Sequence, residues 1–122
     1  MIGYVCLGTN NIDRATKFYD ALFAVIGAKR QMELERGLAW GMDQQSPLLA
    51  VLKPFDGAPA TVGNGVMVSI VVDSHDKVDA LYSQAIALHG KDEGLPRTRS
   101  PGFYAGYFRD LDGNKLCAFC MG

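Results

Sequence analysis

The segment YFRDLDGNKLCAFC, from Tyr107 to Cys120, decides the fold of this chain. β-prone residues flank the central DLDGN on both sides, which predicts a strand, a tight turn and a second strand. Asp and Asn side chains bond nearby backbone groups in such a turn, and Gly113 accepts a positive φ. Because the turn sets the register of the last strand, it also determines where Cys117 points.

The hairpin closes the second of two similar halves. A constant offset of 63 residues places Tyr4 on Met67 and Gly27 on Gly90, and it aligns IDRATKFYDALFAVIG with SHDKVDALYSQAIALHG. Each of these pieces follows a β-prone run and has a candidate N-cap, either Asn10 or Asn11 in the first half and Asp73 or Ser74 in the second. Apolar residues recur in both at helical spacing, and a glycine ends each. The predicted buried positions are Ala15, Phe18, Leu22 and Val25, and then Val78, Leu81, Ala85 and Leu88.

Three strand-like pieces follow each helix. The chain is therefore predicted to be an α+β protein of two tandem βαβββ modules in a single domain, residues 1–122. The modules cover about 1–54 and 66–122, and a linker rich in Pro and Gly lies at about 55–65. We expect a curved mixed sheet that forms a cup, with the helices on its outer face. The strand-like pieces lie near residues 28–34, 38–42, 48–53, 91–93, 103–109 and 115–120.

Composition excludes several classes of protein. Twelve basic and thirteen acidic side chains give a net charge of -1 without a basic stripe, so nucleic acid is not an expected partner. No secretory signal and no apolar run long enough for a membrane helix are visible, so no membrane partner is expected either. Three cysteines, an odd number, predict reduced thiols in a cytoplasmic protein rather than a disulfide framework.

The paired modules, the FY dipeptide at Phe18 and Tyr19, and the hairpin YFRDLDGNKL resemble the glyoxalase, bleomycin-resistance and extradiol-dioxygenase superfamily, also called the vicinal oxygen chelate proteins. The hairpin is similar to the DPDGN hairpin of that superfamily. The resemblance covers the whole chain. It implies the cup-shaped fold and a binding cavity inside the cup.

The resemblance also implies a divalent metal, held by His on the first strand and Glu on the last strand of each module. The corresponding positions here are Tyr4, about Ala50, Met67 and Cys117. These side chains do not suit a hard divalent metal, so no metal cofactor is expected. A soft Cu(I) site on the two sulfurs of Met67 and Cys117 is the alternative. The two remaining candidates, His75 and His89, are expected on the outer surface near the ends of the second helix.

Strand alternation predicts what else lines the cup. Cys6 faces the same way as Tyr4, and Ser69 the same way as Met67. Trp40 points either into the cup or beneath a helix. Arg97 and Arg99 are predicted in a loop at the cup mouth, where guanidinium groups near Tyr104 suit a carboxylate, phosphate or flat aromatic ligand. The alternatives are a plain hydrophobic core and ordinary surface arginines. The predicted ligand-binding residues are Tyr4, Cys6, Trp40, Met67, Ser69, Arg97, Tyr104 and Cys117.

Two functions are consistent with the resemblance. The first is a binding protein that holds a small, partly apolar molecule in a metal-free cup between two subunits, which implies a homodimer without cofactors. The second is a metal-independent lyase, isomerase or transferase that uses Tyr4 as acid or base or Cys117 as nucleophile. Such chemistry needs an activating partner. Since no His or carboxylate stands beside either residue in the sequence pattern, binding is favoured over catalysis.

Overall fold

The computed structural model describes every residue from Met1 to Gly122. It contains two helices and eight strands, in the predicted order βαβββ twice. Neither helix has the length or the apolar character needed to cross a membrane. The elements are β1 (Tyr4–Gly8), α1 (Ile12–Ala24), β2 (Lys29–Leu34), β3 (Gly37–Gly41), β4 (Leu48–Leu52), β5 (Val68–Val71), α2 (His75–Ala87), β6 (Lys91–Ser100), β7 (Phe103–Arg109) and β8 (Lys115–Met121).

Each module forms its own four-stranded sheet. The strand order is β1-β4-β3-β2 in module 1 and β5-β8-β7-β6 in module 2. In both, the first strand pairs in parallel with the last, and the other pairings are antiparallel. The predicted α+β class and two-module architecture are thus confirmed. Within one chain no ladder joins the two sheets, so β1 and β5 are both edge strands.

The helices begin where side chains can satisfy their first backbone N–H groups. Asn11 Oδ1 accepts from the backbone N–H of Arg14, and Ser74 Oγ accepts from that of Lys77. The apolar stripes of both helices enter one shared core between the helices and the two sheets. All eight predicted positions join it: Ala15, Phe18, Leu22, Val78, Leu81 and Ala85 are buried, and Val25 and Leu88 pack against the core partly exposed.

The two helices end differently. Gly27 follows α1 with a φ of +78°, as predicted for a C-terminal glycine. After α2, however, His89 takes the left-handed conformation, with a φ of +72°, and Gly90 does not. Gly90 has another reason to lack a side chain: a Cβ there would lie 2.8 Å from the carbonyl oxygens of both Ala85 and Arg109.

The strand β6 is longer than predicted. The expected loop around Arg97 and Arg99 is part of a ten-residue strand that continues to Ser100. Pro96 is tolerated there because β6 lies at the edge of its sheet and its pairing with β7 shifts register around Gly94. The loop prediction was therefore wrong, because proline and glycine here mark bulges in an edge strand.

The DLDGN turn does more than reverse the chain. Asp110 Oδ1 accepts from the backbone N–H groups of Asp112 and Asn114, and Gly113 has a φ of +89°. Asn114 Nδ2 donates to the carbonyl oxygen of Gly8 at 2.9 Å. Asp112 Oδ2 accepts from Thr9 Oγ1 at 2.6 Å. The turn of module 2 is thereby bonded to the end of β1 and the start of α1 in module 1.

Candidate functional site

The register of the strands determines which side chains face away from the helices. In module 1, Cys6 lies opposite Ala50, which lies opposite Ala39. In module 2, Ser69 lies opposite Cys117, which lies opposite Tyr107. Their neighbours along the strands, such as Val51 and Leu116, belong to the core beneath the helices. We call the helix-free side of each sheet its open face. Ala50 and Cys117 occupy equivalent positions on the two open faces, because each lies on the last strand of its module opposite the equivalent residue of the first strand, Cys6 or Ser69.

The open face of module 1 forms an apolar groove of about 630 Å³. Tyr4 stands at its edge strand with 68% of its surface exposed, and Cys6 is exposed beside it. Phe55, which follows β4, is 90% exposed, and the guanidinium of Arg36 lies 5.0 Å from its ring centroid. The groove thus combines apolar walls with a phenol, a thiol, one cation and one carboxylate, that of Glu35. Its lining is completed by Met32, Leu34, Glu35, Ala39, Leu48, Ala50 and Leu52.

The open face of module 2 is polar and cationic at its centre. The ring of Tyr107 lies under the guanidinium of Arg99, at 5.1 Å, and near Nζ of Lys115, at 5.5 Å, both measured to the ring centroid. Arg99 donates from Nε to the carbonyl oxygen of Ala105 at 3.2 Å and from Nη2 to that of Leu95. The guanidinium is therefore held in place by the backbone as well as by the ring.

Cys117 lies at the middle of this face with 1% of its surface exposed. Burial raises the pKa of its thiol, and hydrogen bonding with Ser69 and Tyr107 offsets that rise only in part. The thiol is consequently neutral at physiological pH, which does not favour nucleophilic chemistry. Cys120 is three residues further along β8, so it faces the helices, and both cysteines are free.

The structure does not bring all predicted site residues into one cavity of a single chain. Tyr4 and Cys6 share the groove of module 1. Met67 and Ser69 instead line a second apolar recess, of about 470 Å³, together with residues of β1 such as Val5. Cys117 and Arg97 belong to the open face of module 2, with Arg97 opposite Ala105. The separation follows from the division into two sheets.

Two of the predicted ligand-binding residues, Trp40 and Tyr104, face the helices. Trp40 is 1% exposed, packs on Tyr19 with ring centroids 5.5 Å apart, and donates from Nε1 to Asp20 Oδ1 at 2.9 Å. Of its two predicted placements, the one beneath a helix is the observed one, and there it contributes to the floor of the second recess.

Tyr104 lies under the start of α2. Its hydroxyl donates to Asp79 Oδ1 at 2.6 Å, and its ring stacks on His75 at 3.9 Å. The placement of Tyr104 in the cup was wrong, because Tyr104 pairs with Cys120 while Tyr107 pairs with Cys117, and these pairs lie on opposite faces.

Three residues of the two open faces, Arg36, Phe55 and Lys115, are not among the predicted ligand-binding residues. Phe55 had been assigned to the linker, and Arg36 had no assigned role. Lys115 could have been found, since it stands two residues before Cys117 on the same strand and so faces the same side.

Comparisons with known proteins agree with this fold. The model of the Glyoxalase/Bleomycin resistance protein/Dioxygenase superfamily matches residues 1–118. The chain belongs to this superfamily. A solved structure of a glyoxalase/bleomycin resistance protein from Albidiferax ferrireducens T118 is 30% identical, with a TM-score of 0.91, over 100% of this chain and 99% of that one. No curated protein matches the chain.

More distant members share the fold alone. A family enzyme from Burkholderia phytofirmans PsJN is 15% identical over 98% of each chain, with a TM-score of 0.76. A lactoylglutathione lyase from Agrobacterium tumefaciens is 21% identical, with a TM-score of 0.69, over 98% of this chain and 92% of that one.

The metal that the superfamily implies does not fit the residues present. The positions predicted to correspond to the metal ligands carry a phenol, a methyl group, a thioether and a thiol, in Tyr4, Ala50, Met67 and Cys117. Divalent metals such as Zn, Ni, Mn or Fe need several carboxylate, imidazole or thiolate ligands in one place. No group of three or more His, Cys, Asp or Glu side chains in the chain is close enough together to hold a metal ion. No chemical step through a metal is therefore derived for this member of the superfamily.

Proposed function

We propose that this protein binds a small, partly apolar molecule on the open faces of its sheets, without a metal cofactor. The apolar groove of module 1 is the observation that carries the proposal. It has the size and the mixed lining of small-molecule sites, with apolar walls and a few polar groups. These are the hydroxyl of Tyr4, the thiol of Cys6, the guanidinium of Arg36 and the carboxylate of Glu35.

A homodimer would complete this site. The open faces and edge strands expose large apolar side chains: Tyr4 and Val71 are 68% and 67% exposed, and Met121 is 70% exposed. Both β1 and β5 also present unpaired strand edges, which proteins generally cover. A second copy of the chain would cover these edges and would bring the open face of one module 1 towards the open face of the partner's module 2. The ligand would then be enclosed between two copies.

Binding is better supported than the alternative, a metal-independent lyase, isomerase or transferase. A general acid or base needs a partner that tunes its proton affinity, and the hydroxyl of Tyr4 makes no hydrogen bond within the chain. A cysteine nucleophile needs a lowered pKa, whereas burial raises that of Cys117. Neither candidate residue has the surroundings that the catalytic alternative requires.

The proposal is tested with a neutral apolar fluorophore, N-phenyl-1-naphthylamine. We expect saturable binding that Tyr4→Ala and Phe55→Ala each weaken by about fivefold or more, because each removes an aromatic wall of the groove. Ile86→Ala, a change of an exposed apolar residue on α2, serves as the matched control and should leave the affinity unchanged. Equal effects of all three changes, or no binding, would contradict the proposed site.

The metal-free state is tested separately, by elemental analysis of protein purified without a chelator. We expect less than about a tenth of an equivalent of Zn, Ni, Mn or Fe, because the donor set cannot retain these ions. A stoichiometric content of any of them would overturn that part of the proposal.

A further inference from the structure

The open face of module 2 carries an excess of positive charge, although the net charge of the whole chain is -1. Five cationic side chains lie on it, Lys91, Arg97, Arg99, Arg109 and Lys115, and one carboxylate, Glu93, bonds to Arg109 at 2.6 Å. The four remaining cations form no ion pair. The other nearby carboxylate, Asp92, lies opposite the buried Phe108 on the helix side, where it accepts from the hydroxyl of Tyr82 and the backbone N–H of Gly94. These hydrogen bonds lower the pKa of Asp92, and the charge of Arg99 adds to that effect without forming an ion pair.

The guanidinium of Arg99 has a fixed orientation and free N–H donors with which it can bind a ligand. Its contacts with the carbonyl oxygens of Ala105 and Leu95 use two of its five N–H donors, and three remain free. The ring of Tyr107 supports the guanidinium from one side. A guanidinium with a fixed orientation loses little conformational freedom when it binds a planar or tetrahedral anion in two-point fashion.

Gly94 makes this placement possible. A Cβ at this position would lie 2.9 Å from Nη2 of Arg99 and 3.2 Å from Cδ2 of Tyr107, so any other residue would displace the guanidinium. The register shift of β6 occurs at the same glycine. The bulge and the glycine therefore aim Arg99 across the open face, towards Lys115 and Cys117.

From this arrangement we propose that the ligand is an amphipathic anion. Its carboxylate, sulfonate or phosphate group binds Arg99 and Lys115 on module 2, and its apolar body occupies the groove of module 1 of the partner copy. Ser69 and Tyr107 supply additional hydroxyl groups next to the cations. This inference rests on the proposed function, because the apolar half of the ligand requires the groove described above.

The test compares two fluorophores with the same apolar body. The anionic probe is 8-anilinonaphthalene-1-sulfonate, and the neutral one is N-phenyl-1-naphthylamine. We expect the native protein to bind the sulfonate at least about tenfold more tightly, since a hydrogen bond to a charged group typically contributes a factor of this order or more. Added NaCl should weaken the binding of the sulfonate only, because salt screens partly exposed charges.

Amino-acid variants then show which residues cause the preference for the sulfonate. Arg99→Ala should weaken sulfonate binding by about tenfold and Lys115→Met by about threefold, while both leave binding of the neutral probe within about twofold. Lys115→Met keeps most of the apolar stem of the side chain and so disturbs packing little. It therefore tests the anion site even if Arg99→Ala does not fold. Lys17→Met, which removes an exposed cation from α1, is the control and should change neither affinity.

The outcomes separate the two proposals. If both probes bind equally and the Arg99 and Lys115 variants change neither affinity, the anionic ligand is wrong and the apolar groove stands. If the sulfonate binds in a manner that depends on Arg99 but the neutral probe does not bind, the anion site is supported and the apolar groove is wrong as a binding site. If neither probe binds, both proposals are overturned.

Discussion

The hydroxyl of Tyr19 donates a hydrogen bond of 2.6 Å to Oδ2 of Asp110, although 91 residues separate them. Tyr19 is fully buried in α1 of module 1, and Asp110 is buried at the β7–β8 turn of module 2. Asp110 also accepts from Nδ2 and the backbone N–H of Asn114 and from the backbone N–H of Asp112. The FY dipeptide and the DLDGN turn, the two motifs that carry the resemblance to the superfamily, are therefore the two ends of one contact between the modules.

Tyr19→Phe is expected to lower the free energy of unfolding by about 1 to 3 kcal/mol, because it removes one donor from a buried carboxylate. Urea unfolding at pH 7 measures this change. Tyr104→Phe is the matched control, since its hydroxyl bonds Asp79 at a more exposed site, and its effect should be smaller. Equal losses in the two variants would mean that the Tyr19 contact does not contribute specially to the joining of the modules.

Stability should fall in alkaline solution above pH 10. Burial, followed by the influence of Asp110, raises the pKa of Tyr19 well above its ordinary value. Burial and the hydrogen bond to Asp92 raise the pKa of Tyr82 to about 12. Since both folded-state pKa values lie above that of an unfolded tyrosine, about 10, their contribution to stability is fully present below pH 10. It is lost as the pH rises through the folded-state pKa, which for Tyr82 is about 12.

Urea unfolding at pH 9 and at pH 11 tests this expectation. The loss between the two should be smaller in Tyr82→Phe than in the native protein, because phenylalanine has no proton to release. An identical loss in both proteins would show that Tyr82 does not contribute to the alkaline transition.

The three cysteines should differ in reactivity. Cys6 is exposed, while Cys117 and Cys120 are 1% and 3% exposed. At pH 7.5, an aromatic disulfide reagent should therefore modify one thiol per chain quickly and the other two only after unfolding. Cys6→Ser should abolish the fast reaction. A fast reaction that persists in Cys6→Ser and disappears in Cys117→Ser would instead identify Cys117 as an activated nucleophile, in favour of the catalytic alternative.

Gly37→Ala is expected to destabilise the protein by about 3 kcal/mol, because a Cβ would lie 1.9 Å from the carbonyl oxygen of Val51 and 3.0 Å from Cα of Leu52. Both contacts are to the backbone of β4, which cannot yield without breaking its pairing with β3. Thermal and urea unfolding measure the loss. Gly3→Ala, where no atom lies within 4 Å of the added Cβ, is the control and should have little effect.

The proposed homodimer predicts a particle of about twice the chain mass of 13.2 kDa, which light scattering coupled to size exclusion measures at micromolar concentration. Val71→Glu should shift the protein towards the monomer, because it places a charge on the exposed edge strand β5. Ile86→Glu on α2 should leave the mass unchanged. A monomeric native protein would contradict the enclosed site.

Periodicity in the sequence is sufficient to predict the helices, the faces that they bury and most of the strand bounds. It failed at β6, where Pro96 and Gly94 indicated a loop although an edge strand with bulges accommodates both. It also placed Tyr104 on the wrong face, because which residue of a strand faces outward depends on pairing with a distant partner, here Cys120.

The relation between the modules was beyond sequence reasoning for a similar physical reason. It depends on contacts such as the one from Asn114 to the carbonyl oxygen of Gly8, between residues 106 positions apart. A local pattern has no means of showing that a side chain in one turn bonds the end of a strand in the other module. The repeat relates Tyr4 to Met67, but the correspondence of these positions to metal ligands rests on the resemblance to the superfamily and stays a prediction.

Each module carries a complete hydrogen-bonded ladder of its own, so an amino-acid change on one open face leaves the backbone pairing of the other untouched. The two open faces can consequently differ in chemical character: that of module 1 is mainly apolar, and that of module 2 is basic. The same independence offers an engineer two surfaces that can be reshaped one at a time.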